Sequence, residues 1–381
     1  MTGTDRFAAP RPDQIIGTGA RSQNAPAVAA LIDGLTRGQS ILATQDPQPI
    51  RPAPGPPGML FCQSSGSGGR VKTIRRSQTS WIASFRVNRD AFAITPRDRY
   101  ATLGHLGHSL SLYAAIEALH LGAGLMVLAG DSPRTQMRAL ARATMLYATP
   151  AQLHRLALAG GTLPDLRHIL CGGGRLDEDT RDAARALCPQ AQLRVFYGAS
   201  ETSFIALADA DTPPGSVGRA YPGVRIRIDP DGAIWVASPY LAKGYAEPDL
   251  PPPNRDGAYM ATGDLGTLDP HGNLILHGRQ SRRITTLDRT LSLEDVEAVL
   301  AAHGAPLSVA LALPDPRRGM AVLAVVQGPP DDALAARLRR ACRETLGDHA
   351  APRRIVFVAS LPMLASDKPD LAALARLCVA P

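Results

Sequence analysis

From Met59 to about residue 208, apolar runs of strand length alternate with amphipathic stretches of helix length. That alternation is what βαβ units on a largely parallel sheet require, because each parallel strand must be followed by a crossover that returns the chain to the same end. Met59 to Gln63 reads as a buried strand running into the flexible loop SSGSGGRVKT. Leu112 to Leu121 reads as a helix, Gly124 to Leu128 as a strand, Arg134 to Ala143 as a helix and Thr144 to Ala148 as a strand.

The texture changes between about 215 and 280, where short alternating segments such as VRIRID and AIWVAS are punctuated by DPDG and DPHG turns. These predict a small antiparallel β region. Beyond Arg279 the order is helix (Leu293 to Ala302), strand (Ser308 to Leu313), strand (Ala321 to Gln327), helix (Asp332 to Leu346) and strand (Arg354 to Val358), which suits a compact α+β unit. The expected class is therefore α/β. A large N-terminal domain, residues 1–279, carries a mainly parallel sheet flanked by helices plus the antiparallel region, and a small α+β domain follows over residues 280–381. The Pro- and Gly-rich stretch 46–58 reads as a connector after a short N-terminal unit, since it forbids helix or central strand.

A hydrophobic content of 45% against 20% charged residues is the balance of a soluble globular chain. No apolar run approaches the roughly 20 residues needed to span a bilayer, and the first 20 residues lack the apolar stretch of a secretory signal, so the expected compartment is the cytoplasm, with no membrane partner. The five cysteines, Cys62, Cys171, Cys188, Cys342 and Cys378, are widely spaced and read as reduced, mostly buried thiols. A net charge of +7 raises the question of a nucleic-acid partner, but the arginines are scattered and not clustered with aromatics, so none is expected. What remains is a weak field favouring anionic small molecules such as ATP and coenzyme A.

Three motifs carry chemistry. In Ser64-Ser65-Gly66-Ser67-Gly68-Gly69, closed by Lys72, glycines admit backbone N–H groups close to a phosphate, hydroxyls donate further bonds and the lysine adds a point charge. The loop lacks the GxxxxGK[ST] spacing of a P-loop NTPase. Phe196-Tyr197-Gly198-Ala199-Ser200-Glu201-Thr202 gathers an aromatic for stacking, a hydroxyl for phosphate and a carboxylate for Mg²⁺. Thr262-Gly263-Asp264-Leu265-Gly266, followed by Gly278-Arg279, offers a turn carboxylate and an arginine to the hydroxyls of a ribose. Each motif alone has an ordinary structural alternative: a flexible turn, a capped strand-to-helix turn, or a turn aspartate beside a surface arginine.

In collinear order, these segments resemble the motifs of the adenylate-forming superfamily of acyl- and aryl-CoA synthetases, peptide-synthetase adenylation domains and luciferases. SSGSGGRVK is similar to its TSGSTGxPK, YGASE to its YGxTE, TGDLG is identical to its own motif, and Gly278-Arg279 matches its hinge-side GR. The stretches HSLSLYAAIEALHLGAG, LRHILCGGGRL, PGSVGRAYPGVRI, ASPYLAKGY, LPDPRRGMAVLAVV and LPMLASDK extend the resemblance over essentially everything from Leu60 onward. It implies a two-step reaction: a carboxylate attacks the α-phosphate of Mg·ATP to give acyl-AMP and pyrophosphate, and a thiol then displaces AMP.

By the same resemblance, Ser65, Gly66, Ser67, Gly69 and Lys72 would hold pyrophosphate, Ser200 would touch phosphate and Glu201 would bind Mg²⁺. Tyr197, with Gly198, would lie beside adenine, and Asp264 and Arg279 would grip the ribose. His108 would lie near the acyl pocket, with Gly173 and Gly198 at its wall, the turn Gly172-Gly173-Gly174 would lie between that pocket and adenine, and Lys368 would bridge the carboxylate and the α-phosphate. His105 and His120 are read as ordinary helix or loop residues, and Leu112, Ile116 and Leu119 as core. The implied substrates are ATP, a small aryl acid of the hydroxycinnamate or benzoate type or a short acyl acid, and coenzyme A. The alternatives are transfer to a carrier-protein phosphopantetheine, or a catalytically silent nucleotide-binding regulator.

Three departures stand against the family pattern. Only 63 residues precede Ser64, so most of the family's first subdomain has no counterpart here, and an uncovered sheet face would favour a homodimer. GRQSRRITTLDRTL stands where GRxDxxIKxxGxxI is expected, placing Ser281, Thr285 and Asp288 at the hinge aspartate, the lysine and the glycine that approaches substrate after domain rotation. Asp367 replaces the glycine before the terminal lysine.

Overall fold

The computed structural model describes residues 5–17, 22–64, 71–364 and 368–378. Its first sheet is built from β1 (Ile41–Ala43), β2 (Ile50–Pro52), β3 (Met59–Gln63) and β4 (Thr73–Ser77), which follow helix α1 (Ala25–Thr36) and precede α2 (Gln78–Ala91). Residues 46–58 are more than a connector, because Ile50–Pro52 pairs antiparallel with β1. It lies at the sheet edge, where a proline costs no ladder hydrogen bond.

The large sheet begins with the parallel strands β5 (Arg99–Thr102), β6 (Gly124–Val127), β7 (Met145–Ala148) and β8 (His168–Cys171), linked by α3 (Ser109–His120), α4 (Pro133–Leu140) and α5 (Pro150–Ala159). After α6 (Glu178–Leu187) comes β9 (Gln192–Ala199), parallel to β8, and then β10 (Ser203–Ala208), antiparallel to β9. The strands β6, β7 and β8 are buried along their whole length, as expected of parallel strands covered on both faces. Leu112, Ile116 and Leu119 of α3 lie in the apolar core on one side of this sheet, and Leu153, Leu156 and Leu187 lie in the core on the other.

Antiparallel strands extend the sheet: β11 (Ser216–Ala220), β12 (Arg225–Ile228) and β13 (Ala233–Ala237), then β15 (Arg255–Asp256), β16 (Tyr259–Leu268) and β17 (Asn273–Arg279). Between them β14 (Gly244–Tyr245) leaves to pair with β4, which ties the two sheets together. The order β12-β13-β16-β17-β11-β10-β9-β8-β7-β5-β6, with β15 on β16, makes 12 strands.

The N-terminal residues form no separate unit. Phe7, Val28, Leu31 and Leu35 join the same core as Tyr113 and Phe204. The side-chain amide of Gln14 donates to the Leu119 and Ala123 carbonyls at 3.1 and 2.9 Å, Asn24 donates to those of Val127 and Ala129 at 3.1 and 3.0 Å, and Ile15 bridges Leu125. This segment therefore runs along β6, the edge strand of the large sheet, and occupies polar groups that an open edge would present.

The C-terminal unit has β18 (Arg283–Thr286), β19 (Arg289–Ser292), α7 (Leu293–Ala302), β20 (Ser308–Asp315), β21 (Gly319–Gln327), α8 (Asp332–Leu346), β22 (Arg354–Val358) and α9 (Leu371–Cys378). Its sheet has apolar clusters on both faces, one around Val296, Leu300 and Leu338 and the other around Leu323, Leu361 and Leu374. All five cysteines are buried and unpaired, as expected. Among the described residues no helix is long and apolar enough to cross a membrane.

Candidate active site

A cleft of about 760 Å³ opens where the chain leaves the carboxyl ends of β5, β7, β8 and β9, at Leu103, Thr149, Gly173 and Ala199. Strand β5 lies between β6 and β7, so the crossovers on its two sides diverge there, and such a switch point leaves a crevice.

Part of the lining is the base of the serine- and glycine-rich loop. The Ser64 N–H donates to the Lys72 carbonyl at 2.8 Å and the Lys72 N–H donates to Ser64 Oγ at 3.0 Å, pinching the loop as it leaves β3 and enters β4. Ser65, Gly66, Ser67 and Gly69 lie outside the described residues. Lys72 Nζ sits 4.8 Å from the centroid of the Tyr245 ring, and Tyr245 Oη donates to Glu201 Oε1 at 3.4 Å. Lys72, Tyr245 and Glu201 all line the cleft.

Asp264, Arg279 and Lys368 form a second group on the lining. Asp264 Oδ2 accepts from Tyr197 Oη at 2.6 Å, and Arg279 Nε is 3.2 Å from Oδ1. Burial pushes the Asp264 carboxyl above the ordinary carboxylate range, against the pull of the Tyr197 hydrogen bond and the Arg279 charge. Burial likewise holds the Lys368 ammonium below the ordinary lysine value, with Arg279 acting in the same direction and Asp264 opposing. Lys368, distant in sequence, is thus brought to the same carboxylate as the β16 and β17 motifs.

The rest of the lining includes aromatic and hydroxyl side chains. Trp81 and Tyr113 meet edge to face with centroids 5.1 Å apart, Tyr113 meets Phe204 at 5.3 Å and Phe204 meets Phe196 at 4.6 Å. His108 precedes the first residue of α3, Ser109, whose Oγ is 2.8 Å from Ser200 Oγ. Successive residues of β9 point to opposite faces, so Phe196 and Gly198 line the cleft while Tyr197 between them is given to Asp264. The ring that β9 places on the cleft wall is therefore Phe196, where the sequence expectation was Tyr197.

Of the glycine turn, Gly173 lines the cleft at φ +87°. Gly172 packs behind it, where an added Cβ would come within 2.2 Å of the Phe196 ring, and Gly174 lies against Pro150. Gly198 is excluded from carrying a side chain by the Ser203 carbonyl, 2.0 Å from where a Cβ would stand.

The family model described as AMP-binding enzyme matches residues 14–246, and that described as AMP-binding enzyme C-terminal domain matches residues 295–368. The chain belongs to the AMP-binding enzyme family. Among curated relatives of these AMP-binding enzymes, an uncharacterized acyl-CoA ligase, YhfT, of Bacillus subtilis is 31% identical over 342 residues, covering 86% of this chain and 69% of the relative. The 3-hydroxybenzoate-CoA ligase of Aromatoleum sp. (strain CIB) is 27% identical, covering 94% and 72%. Among solved structures, the amide bond synthetase McbA from Marinactinospora thermotolerans is 28% identical with a TM-score of 0.72, covering 87% of this chain and 72% of that one.

Sequence reasoning missed several cleft residues of this AMP-binding enzyme. Ser109 and Tyr113 lie on a helix whose apolar stripe reads only as core. Trp81 follows the loop by nine positions with no motif around it. Tyr245 reaches Lys72 only because β14 pairs with β4.

Proposed function

We propose that this chain activates a small carboxylic acid with ATP, forming acyl-AMP and pyrophosphate, and then transfers the acyl group to the thiol of coenzyme A. The observation that carries the reading is the convergence of Lys72, Glu201, Asp264, Arg279 and Lys368 on one cleft. Those residues supply cations for the phosphates, a carboxylate for the metal and a carboxylate for the ribose of a nucleoside triphosphate, and the rings of Trp81, Tyr113, Phe196 and Phe204 line the same cleft.

In the first half-reaction, a carboxylate oxygen of the acid forms a bond to the α-phosphorus and the bond to the bridging oxygen breaks, releasing pyrophosphate with its electron pair. Little covalent chemistry is asked of the protein, so positioning and neutralisation of charge dominate. Lys72 and the hydroxyls of the loop, Ser65 and Ser67 with the amides of Gly66 and Gly69, would take the departing phosphates. Lys368 would place its ammonium between the incoming carboxylate and the α-phosphate. Asp264, held by Tyr197 and Arg279, would accept from the ribose hydroxyls, and Gly173 and Gly198 would admit adenine and the acid close to the backbone beside His108.

Glu201 fits a magnesium ion. Mg²⁺ is commonly held by one or two carboxylates together with substrate phosphates, and Glu201, linked to Lys72 through the Tyr245 ring, supplies such a carboxylate on the cleft lining. When bound, the ion would neutralise phosphate charge. In the second half-reaction the thiol loses its proton to solvent, its sulfur bonds to the acyl carbon and AMP leaves with the electron pair of the C–O bond.

The aromatic lining from Trp81, Tyr113, Phe196 and Phe204 supports an aryl acid of the benzoate or hydroxycinnamate type. A second reading for the acceptor, an amine in place of the thiol, rests on the similarity to the amide bond synthetase McbA, while Asp288 bears against the thiol by putting a carboxylate where a glycine is expected to approach it. Carboxylate-dependent exchange of labelled pyrophosphate into ATP tests the first step. Nucleotide binding without exchange across a broad panel of aryl and short acyl acids would refute it in favour of a silent regulator. Product analysis with coenzyme A, a phosphopantetheine carrier protein and simple amines then assigns the acceptor.

A further inference from the structure

Beneath the turn that carries Ser200 and Glu201 lies a charge that the reading above leaves unused. In TIRRS, the period of the strand sends Arg75 outward and turns Ile74 and Arg76 inward. Arg76 is fully buried and heads the largest side chains with no contact with solvent. One of its Nη atoms donates to Ser203 Oγ at 2.6 Å and to the Tyr240 carbonyl at 3.4 Å, and the other donates to the Ser200 carbonyl at 2.5 Å. Its Nε has no partner among the described residues. The guanidinium lies 5.2 Å from the centroid of Trp81, whose indole N–H also donates to Ser203 Oγ, at 3.2 Å.

Every hydrogen-bond acceptor that Arg76 reaches among the described residues is thus a neutral oxygen. Glu201 acts on it only through space. A buried cation without a bonded counter-ion is expensive, and an apolar side chain of similar volume would cost less. Such a charge is expected where it serves function more than folding.

The turn it holds is also under strain. Ser203 has φ +58°, a left-handed conformation that a side chain disfavours, and its carbonyl packs into the space that Gly198 leaves open. The guanidinium fork grips the turn at two points flanking Glu201, the carbonyl of Ser200 and the hydroxyl of Ser203.

We propose that Arg76 is a positioning residue for the adenylation step: its guanidinium clamps the Ser200–Ser203 turn so that Ser200 and Glu201 are fixed against the triphosphate and its metal. This rests on the phosphate-end assignment of Glu201 made above.

The test uses Arg76→Met, which fills the space without charge, and Arg76→Lys, which keeps the charge but lacks the planar fork. With Arg76→Met, kcat for pyrophosphate exchange falls roughly 10- to 100-fold, the scale for losing bonds to a charged group. The Mg²⁺ concentration for half-maximal exchange rises, thiolysis of chemically prepared acyl-AMP changes little, and Tm is unchanged or higher. Arg76→Lys recovers part of the exchange rate. Equal loss of both half-reactions with a lowered Tm in both variants would reduce Arg76 to a structural residue, and exchange at the wild-type rate in both would overturn the proposal.

Calorimetric titration with Mg²⁺ and α,β-methylene-ATP separates this idea from the assigned activity. Weaker binding in Arg76→Met supports the clamp even if wild type exchanges with no acid, an outcome that would sink the activity alone. Unchanged binding in both variants, with an exchanging wild type, would sink the clamp alone.

Discussion

Tyr197 donates its hydroxyl to Asp264 across 2.6 Å, joining the second strand motif to the third. The bond aims the carboxylate, since Arg279 takes the opposite oxygen at 3.2 Å and leaves both oxygens engaged. Tyr197→Phe removes one restraint while keeping the ring. We expect KM for ATP to rise roughly tenfold or more, the scale of a hydrogen bond to a charged group, with KM for the acid nearly unchanged. An ATP KM within twofold of wild type would mean that Arg279 alone orients the carboxylate.

Glu117 gives a pH signature to stability. Burial pushes its carboxyl up to about 7 although Tyr147 and Asn88 donate to it at 2.6 and 2.7 Å. Because the folded value lies above the unfolded one, the folded state keeps a proton that the unfolded state loses first. Stability from this group is therefore constant at low pH, declines as pH rises from about 4.5 to about 7, and then levels off. The whole decline is on the order of 3 kcal/mol. Glu117→Gln should lack it, so the difference between the two chemical-denaturation profiles should change across that window. A pH-independent difference would show that Glu117 is ionised throughout.

Much of the fold was legible because periodicity and punctuation agree locally. The strand Met59–Gln63, the helices Leu293–Ala302 and Asp332–Leu346 and the strand Arg354–Val358 begin and end where the apolar pattern does. The illegible parts depend on contacts between distant segments. Nothing in the N-terminal sequence announces that Gln14 and Asn24 lie along β6. At the site, the motifs were legible as loops and turns, but which of Phe196 and Tyr197 faces the cleft depends on how β9 is rotated in the sheet. Nothing in the sequence separates Arg76 from the chain's other scattered arginines, and only the alternate burial along β4 reveals it.

The hairpin between β18 and β19 turns through Leu287 and Asp288, both left-handed at φ +50° and +61°. A two-residue turn of this kind prefers glycine, and a non-glycine residue there carries a cost of about 1 kcal/mol. Asp288→Gly should therefore stabilise the chain slightly. If this tip approaches the acceptor in the second half-reaction, the same change should speed thiolysis of acyl-AMP by coenzyme A and leave pyrophosphate exchange untouched. Stopped-flow thiolysis at an unchanged rate would remove Asp288 from the acceptor path.

Gly172 shapes the cleft wall through Phe196 without lining the cleft itself. A Cβ at this position would lie 2.2 Å from the Phe196 ring, well inside contact distance, so Gly172→Ala must push that ring toward the cleft or distort the turn. A displaced ring narrows the space left for an acid, and bulky acids should lose kcat/KM for exchange more than small ones, while KM for ATP stays near wild type. Uniform loss for acids of every size would instead indicate that the glycine turn itself had shifted.

Lys368 is held at the cleft by the C-terminal unit, and its ammonium is worth most where carboxylate and α-phosphate charges meet. Lys368→Ala should lower carboxylate-dependent pyrophosphate exchange at least about 100-fold, as removal of a transition-state charge contact does. Thiolysis of supplied acyl-AMP should persist, because that step has no α-phosphate attack to assist. Since burial and Arg279 lower its proton affinity below the ordinary 10.5, wild type should lose exchange activity on the alkaline side before an ordinary lysine would titrate. The residual activity of Lys368→Ala should lack that alkaline limb. Equal loss of both half-reactions, or an alkaline limb that survives the substitution, would assign the role to another residue.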